Sequence, residues 1–235
     1  MHVLIVQNFE STGLGQVCQA LEEAGATRDY RKPYLGEVLP DDCNDHDAIV
    51  VLGGGQSAID DDIHPYLPKL AVLMRCFADN DKAALGICLG SQLLARAFGG
   101  KNLLGEASEF GWCQVNLTDA AKSDPVLSAV PTTFPIFQWH NDTFTLPKGA
   151  VRLAQNGVTR NQAFRVGRAA YGIQFHFEAD RKLVEKWNAR FAAYLEEKQP
   201  DWKHRHEGEA AKHGPQSDAA GQAIARAWVA QIRPH

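Results

Sequence analysis

The stretch AALGICLGSQLLARAFGG, residues 83–100, joins an apolar run directly to a helical pattern, with one cysteine between two glycines. Residues 83–87 are typical of a buried strand, and apolar residues then recur three to four positions apart. A strand that runs straight into a helix is the repeating unit of a parallel sheet covered by helices. The stretch therefore predicts an α/β fold with Cys88 where a strand ends.

Two more strand and helix units precede this corner. Residues 2–7 and 47–55 are apolar runs, and residues 13–25 and 64–79 follow them with helical periodicity. Strands alternating with helices imply a parallel sheet with helices on both faces. We expect a three-layer, flavodoxin-like fold with a mostly parallel central sheet.

In the middle of the chain, the alternation of strands and helices gives way to a series of short strands. Residues 112–176 contain five short strand candidates, some of which we expect to pair as a small antiparallel sheet beside the main one. Residues 179–198 predict one helix that packs against the core. Its apolar face carries residues 183, 184, 187, 191, 194 and 195. We predict that the core domain spans residues 1–199.

Residues 200–235 form a polar, histidine-rich extension that ends in a helix. The apolar residues of this last helix lie four apart, at Ile224, Trp228 and Ile232. Ser217 or Asp218 is the expected N-cap. The histidines of the extension have no thiolate partner, so we assign no metal to them.

The composition is that of an ordinary globular protein of 235 residues, with 45% hydrophobic and 22% charged residues. No apolar run approaches the ~20 residues that span a bilayer, and the first residues lack the pattern of a secretory signal. We expect a cytoplasmic protein that does not enter a membrane. The net charge of −4 gives no electrostatic reason to expect nucleic acid as a partner.

Five cysteines lie at positions 18, 43, 76, 88 and 113. An odd number without a CxxC pair suggests neither a disulfide framework nor a thiolate zinc site, so we expect free thiols. The ordinary role of such a cysteine is that of a small core residue. We assign that role to Cys18, Cys43, Cys76 and Cys113.

Cys88 differs from the other four because Gly86 and Gly90 flank it in the pattern G-x-C-x-G. This is the pattern of a nucleophile elbow, a sharp turn from strand to helix that exposes the central side chain. The turn requires residues without a Cβ on either side. The positive end of the following helix also favours the reactive thiolate.

A cysteine nucleophile needs an imidazole to accept its proton and a third group to orient that ring. His176 ends an apolar run, and Glu178 follows at the position that faces the same way in extended backbone, while Phe177 points into the core. A zinc site made from these groups is the weaker interpretation, since catalytic zinc takes three protein ligands. His140 is the alternative base, but no carboxylate stands two residues after it.

Six ordered blocks of the sequence resemble the class I glutamine amidotransferases over residues 1 to about 180. The blocks are VVLGGG, GICLGSQLLARAFGG, GEASEFGWCQVNLT, FQWHNDTFTLP, NQAFRV and YGIQFHFE. Within the family they are most similar to the amidotransferase domain of GMP synthase and its stand-alone relatives.

The resemblance implies that Cys88 is the nucleophile and that His176 is the general base and then the acid, with Glu178 orienting its ring. It implies that the backbone N–H groups of Gly55 and Leu89 form the oxyanion hole. The predicted reaction is hydrolysis of the γ-amide of glutamine through a cysteinyl thioester, releasing ammonia and glutamate.

The resemblance also implies that Gln92, Asn141 and Asp142 contact the substrate, although Gln92 could simply be a polar helix residue. The expected partner is a small molecule, glutamine or another γ-glutamyl compound, and we expect no cofactor. A separate synthetase subunit is the possible acceptor of ammonia, because no nucleotide-binding loop follows in this sequence.

Two residues depart from the family pattern. Phe177 stands where proline usually separates the histidine from the glutamate, and Gln56 stands where proline usually follows the oxyanion glycines. The first change removes a backbone restraint but no catalytic group, and the second leaves a backbone N–H beside the oxyanion glycines that proline would lack. Two other functions remain open: hydrolysis of γ-glutamyl peptides or conjugates with the same triad, and a catalytically silent binding or regulatory module.

Overall fold

The computed structural model describes residues 1–234 of the chain. Its strands are β1 His2–Val6, β2 Thr27–Arg31, β3 Ala48–Val51, β4 Ala83–Ile87, β5 Asn102–Leu103, β6 Glu109–Leu117, β7 Thr133–His140, β8 Thr143–Phe144, β9 Val151–Gln155, β10 Ala163–Val166 and β11 Ala170–Ile173. Its helices are α1 Gly15–Glu23, α2 Leu67–Asp79, α3 Leu89–Ala97, α4 Arg181–Arg190, α5 Ala192–Lys198 and α6 Trp202–Val229. Short 3-10 turns span Pro33–Leu35, Asp119–Ser123 and Leu127–Ala129.

Nine strands form one sheet in the order β2-β1-β3-β4-β11-β10-β9-β6-β7. The first five strands pair in parallel, in the order of a flavodoxin-like fold, and the last four continue the sheet as antiparallel neighbours. A separate antiparallel pair joins β5 to β8. The predicted fold class is therefore confirmed, with most of the antiparallel strands extending the main sheet.

Both faces of β3, β4, β11 and of β1 after His2 are buried, which explains their continuous apolar sequences, whereas the edge strand β2 is polar and partly exposed. Along β1, Val3 and Ile5 pack in the core layer that includes α1 and α6. Leu4 and Val6 point to the opposite face and pack in the layer that includes α2 and α3. The period of two along a strand thus builds the three predicted layers.

The helix predicted over residues 179–198 is two helices in the structure. It breaks at Phe191, whose φ of −110° and ψ of 21° lie outside the helical range and separate α4 from α5. The helical period continues across the break, which is why the sequence pattern does not show it. Among residues 1–234, no helix combines the length and the apolar character needed to cross a membrane.

The last helix, α6, begins at Trp202, so the prediction of an N-cap at Ser217 or Asp218 is wrong. Both residues lie inside the helix, where Ser217 is buried and Asp218 pairs with Arg181. Ile224 and Trp228 are fully buried in the same core layer as α1. The polar composition of the extension reflects its outer face, while its inner face packs on the sheet.

The expectation of five free thiols is also wrong. Cys43, in the loop before β3, is joined by a disulfide to Cys76 on α2, with 6.1 Å between their Cα atoms. Cys18, Cys88 and Cys113 are free. The pairing follows from the packing of α2 beside a loop 33 residues earlier in the chain, a proximity that cysteine spacing does not reveal.

Candidate active site

Cys88 occupies the corner between β4 and α3 with a strained backbone. Its φ is +52° and its ψ −107°, and among residues 1–234 the only other non-glycine residue with positive φ is Asp81. A Cβ on Gly86 would collide with the backbone of Gly90, and a Cβ on Gly90 would collide with the carbonyl oxygen of Val51. The two glycines of the elbow are therefore a steric requirement of the turn.

The backbone of the elbow is tied to the neighbouring strand and to the first turn of α3. The N–H of Cys88 donates to the carbonyl oxygen of Ile173 at 2.9 Å, and the Ser91 hydroxyl donates to the carbonyl oxygen of Cys88 at 2.7 Å. The thiol lies 3.8 Å from the carbonyl oxygen of Trp139, and the residue is 7% exposed. Cys88 lines a cavity that could hold a small ligand beside its sulfur.

His176 and Glu178 lie in the turn after β11 rather than in a strand. The strand ends at Ile173, three residues earlier than the extended run suggested. The N–H of His176 donates to the carbonyl oxygen of Phe137, and its ring Nδ1 lies 2.7 Å from Glu178 Oε1. Phe177 is fully buried, as predicted. The turn brings imidazole and carboxylate together although the backbone is not extended.

The charge of His176 is set by its neighbours. Burial alone would lower the pKa of the imidazole, but the negative charges of Glu178 and Cys88, with hydrogen bonds to both, hold that pKa well above its usual value. The raised pKa favours the imidazolium form of His176, which lines the same cavity as Cys88. The three side chains therefore form one coupled charge system at the end of the parallel sheet.

The glycine run after β3 lies against this system. A Cβ on Gly53 would stand 3.4 Å from the ring of His176 and 3.5 Å from the Cβ of Cys88, and Gly55 lines the cavity beside them. Leu89 is the first residue of α3, so its N–H has no acceptor within the helix. The predicted oxyanion donors are thus Gly55, in the glycine run that lines the cavity, and Leu89, at the start of α3.

Gln56, which replaces the family proline, is held by its side chain. Its Nε2 donates to the carbonyl oxygen of Asn8 at 3.1 Å and to the hydroxyl of Tyr66 at 2.6 Å. A Cβ on Gly54 would collide with the Gln56 side chain and come within 2.8 Å of Leu89. Side-chain hydrogen bonds here take over the restraint that a proline ring would supply.

The three residues predicted to contact the substrate, Gln92, Asn141 and Asp142, do not line the cavity. They make hydrogen bonds to neighbouring segments of the protein instead. Gln92 Nε2 donates to the carbonyl oxygen of Asp142 at 3.3 Å and to Gln174 Oε1 at 3.2 Å. Asn141 accepts a hydrogen bond from Ser108, and Asp142 accepts one from the backbone of Gly105. A substrate-binding role for Gln92, Asn141 and Asp142 stays a prediction.

His140 is engaged away from the thiol. Its Nδ1 lies 3.1 Å from the carbonyl oxygen of Asp142, and its Nε2 lies 3.3 Å from the buried carboxylate of Glu109. Burial would raise the pKa of Glu109, but its interactions with His140, Thr159 and Asn156 lower that pKa overall. This buried pair braces the end of β6 against β7, and His140 does not line the cavity that contains Cys88.

The comparisons with known proteins agree with this geometry. The sequence model for "Glutamine amidotransferase class-I" matches residues 6–187, most of the chain. The chain belongs to the class I glutamine amidotransferase family. Its relatives in this family include the glutamine amidotransferase-like protein YfeJ of Salmonella typhimurium, 30% identical over 79% of this chain and 78% of that protein.

Two other relatives in the family carry different names. A GMP synthase (glutamine-hydrolyzing) of Thermosipho melanesiensis is 26% identical over 68% of this chain, which corresponds to 32% of that protein. Gamma-glutamyl peptidase 5 of Arabidopsis thaliana is 31% identical over 69% of this chain and 66% of that protein. A crystal structure of a glutamine amidotransferase from Thermotoga maritima superposes with a TM-score of 0.88, at 26% identity over 100% of this chain and 99% of that one.

The cavity of this family member has an aromatic wall that its sequence did not predict. It encloses about 300 Å³ beside Cys88, His176, Gly54 and Gly55. Its wall consists of five aromatic residues, Phe9, Trp139, Trp187, Phe191 and Tyr194. The hydroxyl residues Ser11 and Thr12 complete the lining, and within residues 1–234 no aspartate, glutamate, lysine or arginine contributes to it. The helical spacing of residues 187, 191 and 194 places them on one apolar face, but from the sequence this face predicted only packing against the core.

The turn that carries Glu178 is clamped between α1 and α6. Gln16 donates through its backbone N–H to the carbonyl oxygen of Glu178 at 2.8 Å and through its side chain to that of Phe177 at 3.0 Å. A Cβ on Gly15 would collide with the Glu178 carbonyl, and a Cβ on Gly221 of α6 would collide with the Phe177 carbonyl. Two helices therefore restrain the backbone where the family proline is missing.

Proposed function

We propose that this member of the family hydrolyses the γ-amide of glutamine through a γ-glutamyl thioester on Cys88. The observation that carries the proposal is the position of His176. Its ring Nδ1 lies 2.7 Å from Glu178 Oε1, and the ring lines the same cavity as Cys88, next to a strained elbow. A nucleophile, a base and an orienting group within hydrogen-bonding reach are what acyl transfer by a thiol requires.

In the proposed first step the Cys88 thiolate attacks the γ-carbonyl carbon, and a C–S bond forms. The N–H groups of Gly55 and Leu89 stabilise the resulting oxyanion, each contributing about 3 kcal/mol as such donors do in other enzymes. His176 gives its proton to the nitrogen, the C–N bond breaks and ammonia leaves. Water, deprotonated by His176, then hydrolyses the thioester to glutamate and restores the thiol.

Transfer of the ammonia to a synthetase carried on another chain is a proposal that rests on the family. One relative, from Archaeoglobus fulgidus, is named as a single subunit of a GMP synthase (glutamine-hydrolyzing) and is 31% identical over 57% of this chain and 67% of that subunit. We infer that an acceptor enzyme, if this chain has one, would dock where the ammonia leaves the cavity.

Hydrolysis of γ-glutamyl peptides or conjugates is the second candidate, because it uses the same thiol, base and thioester and differs only in the leaving group. The large apolar cavity beside Cys88 supports it, since ammonia alone needs no such space. The resemblance to Gamma-glutamyl peptidase 5 also supports it.

The test is release of glutamate from glutamine by the purified protein and by Cys88→Ala, with Cys113→Ala as the matched control. Cys113 is also a free thiol, and burial raises its pKa to about 11, which makes it a poor nucleophile. We expect Cys88→Ala to abolish the activity and Cys113→Ala to retain it. If Cys88→Ala remained active, or if the unaltered protein released glutamate neither from glutamine nor from γ-glutamyl peptides, the proposal would fail.

A further inference from the structure

We propose that the aromatic wall of the cavity binds the amine half of an N-substituted γ-glutamyl amide, and that the preferred amine carries an uncharged aromatic group. This inference rests on the proposed thiol chemistry and adds a substrate class to it. The wall is built by four separate parts of the fold: the loop after β1, the end of β7, α4 and α5.

The charge of the lining indicates which half of the substrate belongs there. The glutamyl half of any such amide has an α-ammonium and an α-carboxylate, and both need charged or hydrogen-bonding partners when they leave water. Among the described residues that line the cavity, the ionisable side chains are those of His176, Cys88 and Tyr194. The aromatic wall therefore suits an uncharged group, and the amine half is the part that can be uncharged.

The rings of the wall are arranged to accept another ring. Trp139 meets Phe191 edge to face with 5.3 Å between centroids, and Tyr194 lies at a tilt with its centroid 6.2 Å from that of Trp139. Trp187 contacts the ring of His176 edge to face at 5.2 Å. Offset and edge-to-face contacts at these distances are the favourable geometries for aromatic pairs. The wall therefore begins beside His176, the residue proposed to protonate the leaving amine.

The wall is also preorganised. Trp187 Nε1 donates to the carbonyl oxygen of Ser11 at 3.0 Å, which ties α4 to the loop after β1. The Thr12 hydroxyl donates to the carbonyl oxygen of Phe9 at 2.8 Å, and the Phe9 ring stacks on Phe191 at 6.1 Å. A wall held in place before binding loses little conformational entropy when the ligand arrives.

The chemistry balances without any co-reactant other than water. The Cys88 thiolate forms a C–S bond with the γ-carbonyl carbon, and the C–N bond breaks as the nitrogen takes a proton from His176. The neutral amine leaves along the aromatic wall, and water hydrolyses the thioester to glutamate. The amine half thus replaces ammonia, and every other step is that of the proposed glutaminase reaction.

The test compares three γ-glutamyl amides of similar intrinsic reactivity: those of benzylamine, methylamine and glycine. We expect kcat/KM to be about tenfold higher for the benzylamide than for the methylamide, because the ring gains aromatic contacts and buried area. The γ-glutamyl amide of glycine, whose leaving half carries a carboxylate, should have the lowest kcat/KM of the three. Glutamine is assayed in parallel to establish that the thiol chemistry works.

Tyr194→Ala and Tyr30→Ala form a matched pair, since both tyrosines are 43% exposed and Tyr30 lies on β2, outside the cavity. We expect Tyr194→Ala to lower the ratio of benzylamide to methylamide kcat/KM about threefold, Tyr194→Phe to preserve that ratio, and Tyr30→Ala to leave it unchanged. Turnover of glutamine with no preference for the benzylamide would overturn this inference and leave the proposed function standing. Turnover of none of the substrates would overturn both.

Discussion

The negative charge of Glu178 helps to hold the pKa of His176 well above its usual value, and His176 lines the same cavity as Cys88. All three residues are buried, so their interactions are only weakly screened by water. The proposed activity therefore depends, among single residues, on one carboxylate that lies two positions after the histidine.

Glu178→Gln is expected to move the alkaline limb of the kcat/KM profile to lower pH. Burial lowers the pKa of His176, and the negative charge of Glu178 is a main contribution that raises it. Without that charge the imidazolium loses its proton at lower pH, and the thiolate loses its counter-charge there. We expect kcat to fall about 10²-fold, as is typical for impaired acid–base catalysis. Measuring glutamate release as a function of pH gives both the position of the alkaline limb and the change in kcat.

The control for this variant is Glu185→Gln, which neutralises an exposed carboxylate on α4. Glu185→Gln should leave the alkaline limb of the kcat/KM profile at the same pH as in the unaltered protein. An alkaline limb that stays where it was in Glu178→Gln would show that Glu178 does not set the protonation of His176.

The elements around the turn that carries His176 and Glu178 compensate for the absence of the family proline between them. Proline would restrict the backbone between histidine and glutamate, whereas Phe177 leaves it free and instead fills the core with its side chain. The N-terminus of α1 and the middle of α6 close on this turn through Gln16 and Gly221. Helix α6 therefore belongs to the support of the site, although its sequence resembles a polar extension.

Gly221→Ala is expected to destabilise the protein and to slow hydrolysis, since the new methyl group would push α6 away from the Phe177 carbonyl. We expect the free energy of unfolding to fall by about 1–3 kcal/mol, the usual cost of overpacking. Because the displaced backbone carries Glu178, kcat should fall more than KM rises. Urea unfolding and steady-state kinetics measure the two effects.

The control for this variant lies in the same helix. A Cβ on Gly208 meets nothing within 4 Å, so Gly208→Ala should raise the stability by about 0.5–1 kcal/mol through helix propensity alone. Equal effects at both positions would contradict a specific contact at Gly221.

At the scale of the whole molecule, covalent and packing contacts join parts of the chain that are far apart in sequence. The Cys43–Cys76 disulfide holds α2 to the loop before β3, on the face of the sheet that also packs α3. Trp228 of α6 is buried on the other face. The disulfide closes a loop that persists in the unfolded chain and so restricts the unfolded state, whereas the packing of Trp228 stabilises only the folded state.

Thiol counting is expected to find three reactive cysteines in the unfolded, unreduced protein and five after reduction, because Cys43 and Cys76 are paired. Closing a loop of this length stabilises a protein by about 4 kcal/mol in the chain-entropy model. Cys43→Ala together with Cys76→Ala should therefore lower the free energy of unfolding by about 2–4 kcal/mol, whereas Cys18→Ala should change it little. Five reactive thiols without reductant would refute the pairing.

Local patterns in the sequence predict the alternation of buried strands with helices and the elbow at Cys88, because periodicity and the absence of a Cβ act over a few residues. They also predict that His176 and Glu178 lie together, but the structure achieves this in a turn and not in the extended strand that the sequence suggested. The aromatic wall, the disulfide and the clamp on the turn after β11 follow from tertiary packing alone. The physical reason is distance along the chain: Ser11 and Trp187 are 176 residues apart, yet they share a hydrogen bond that no local pattern encodes.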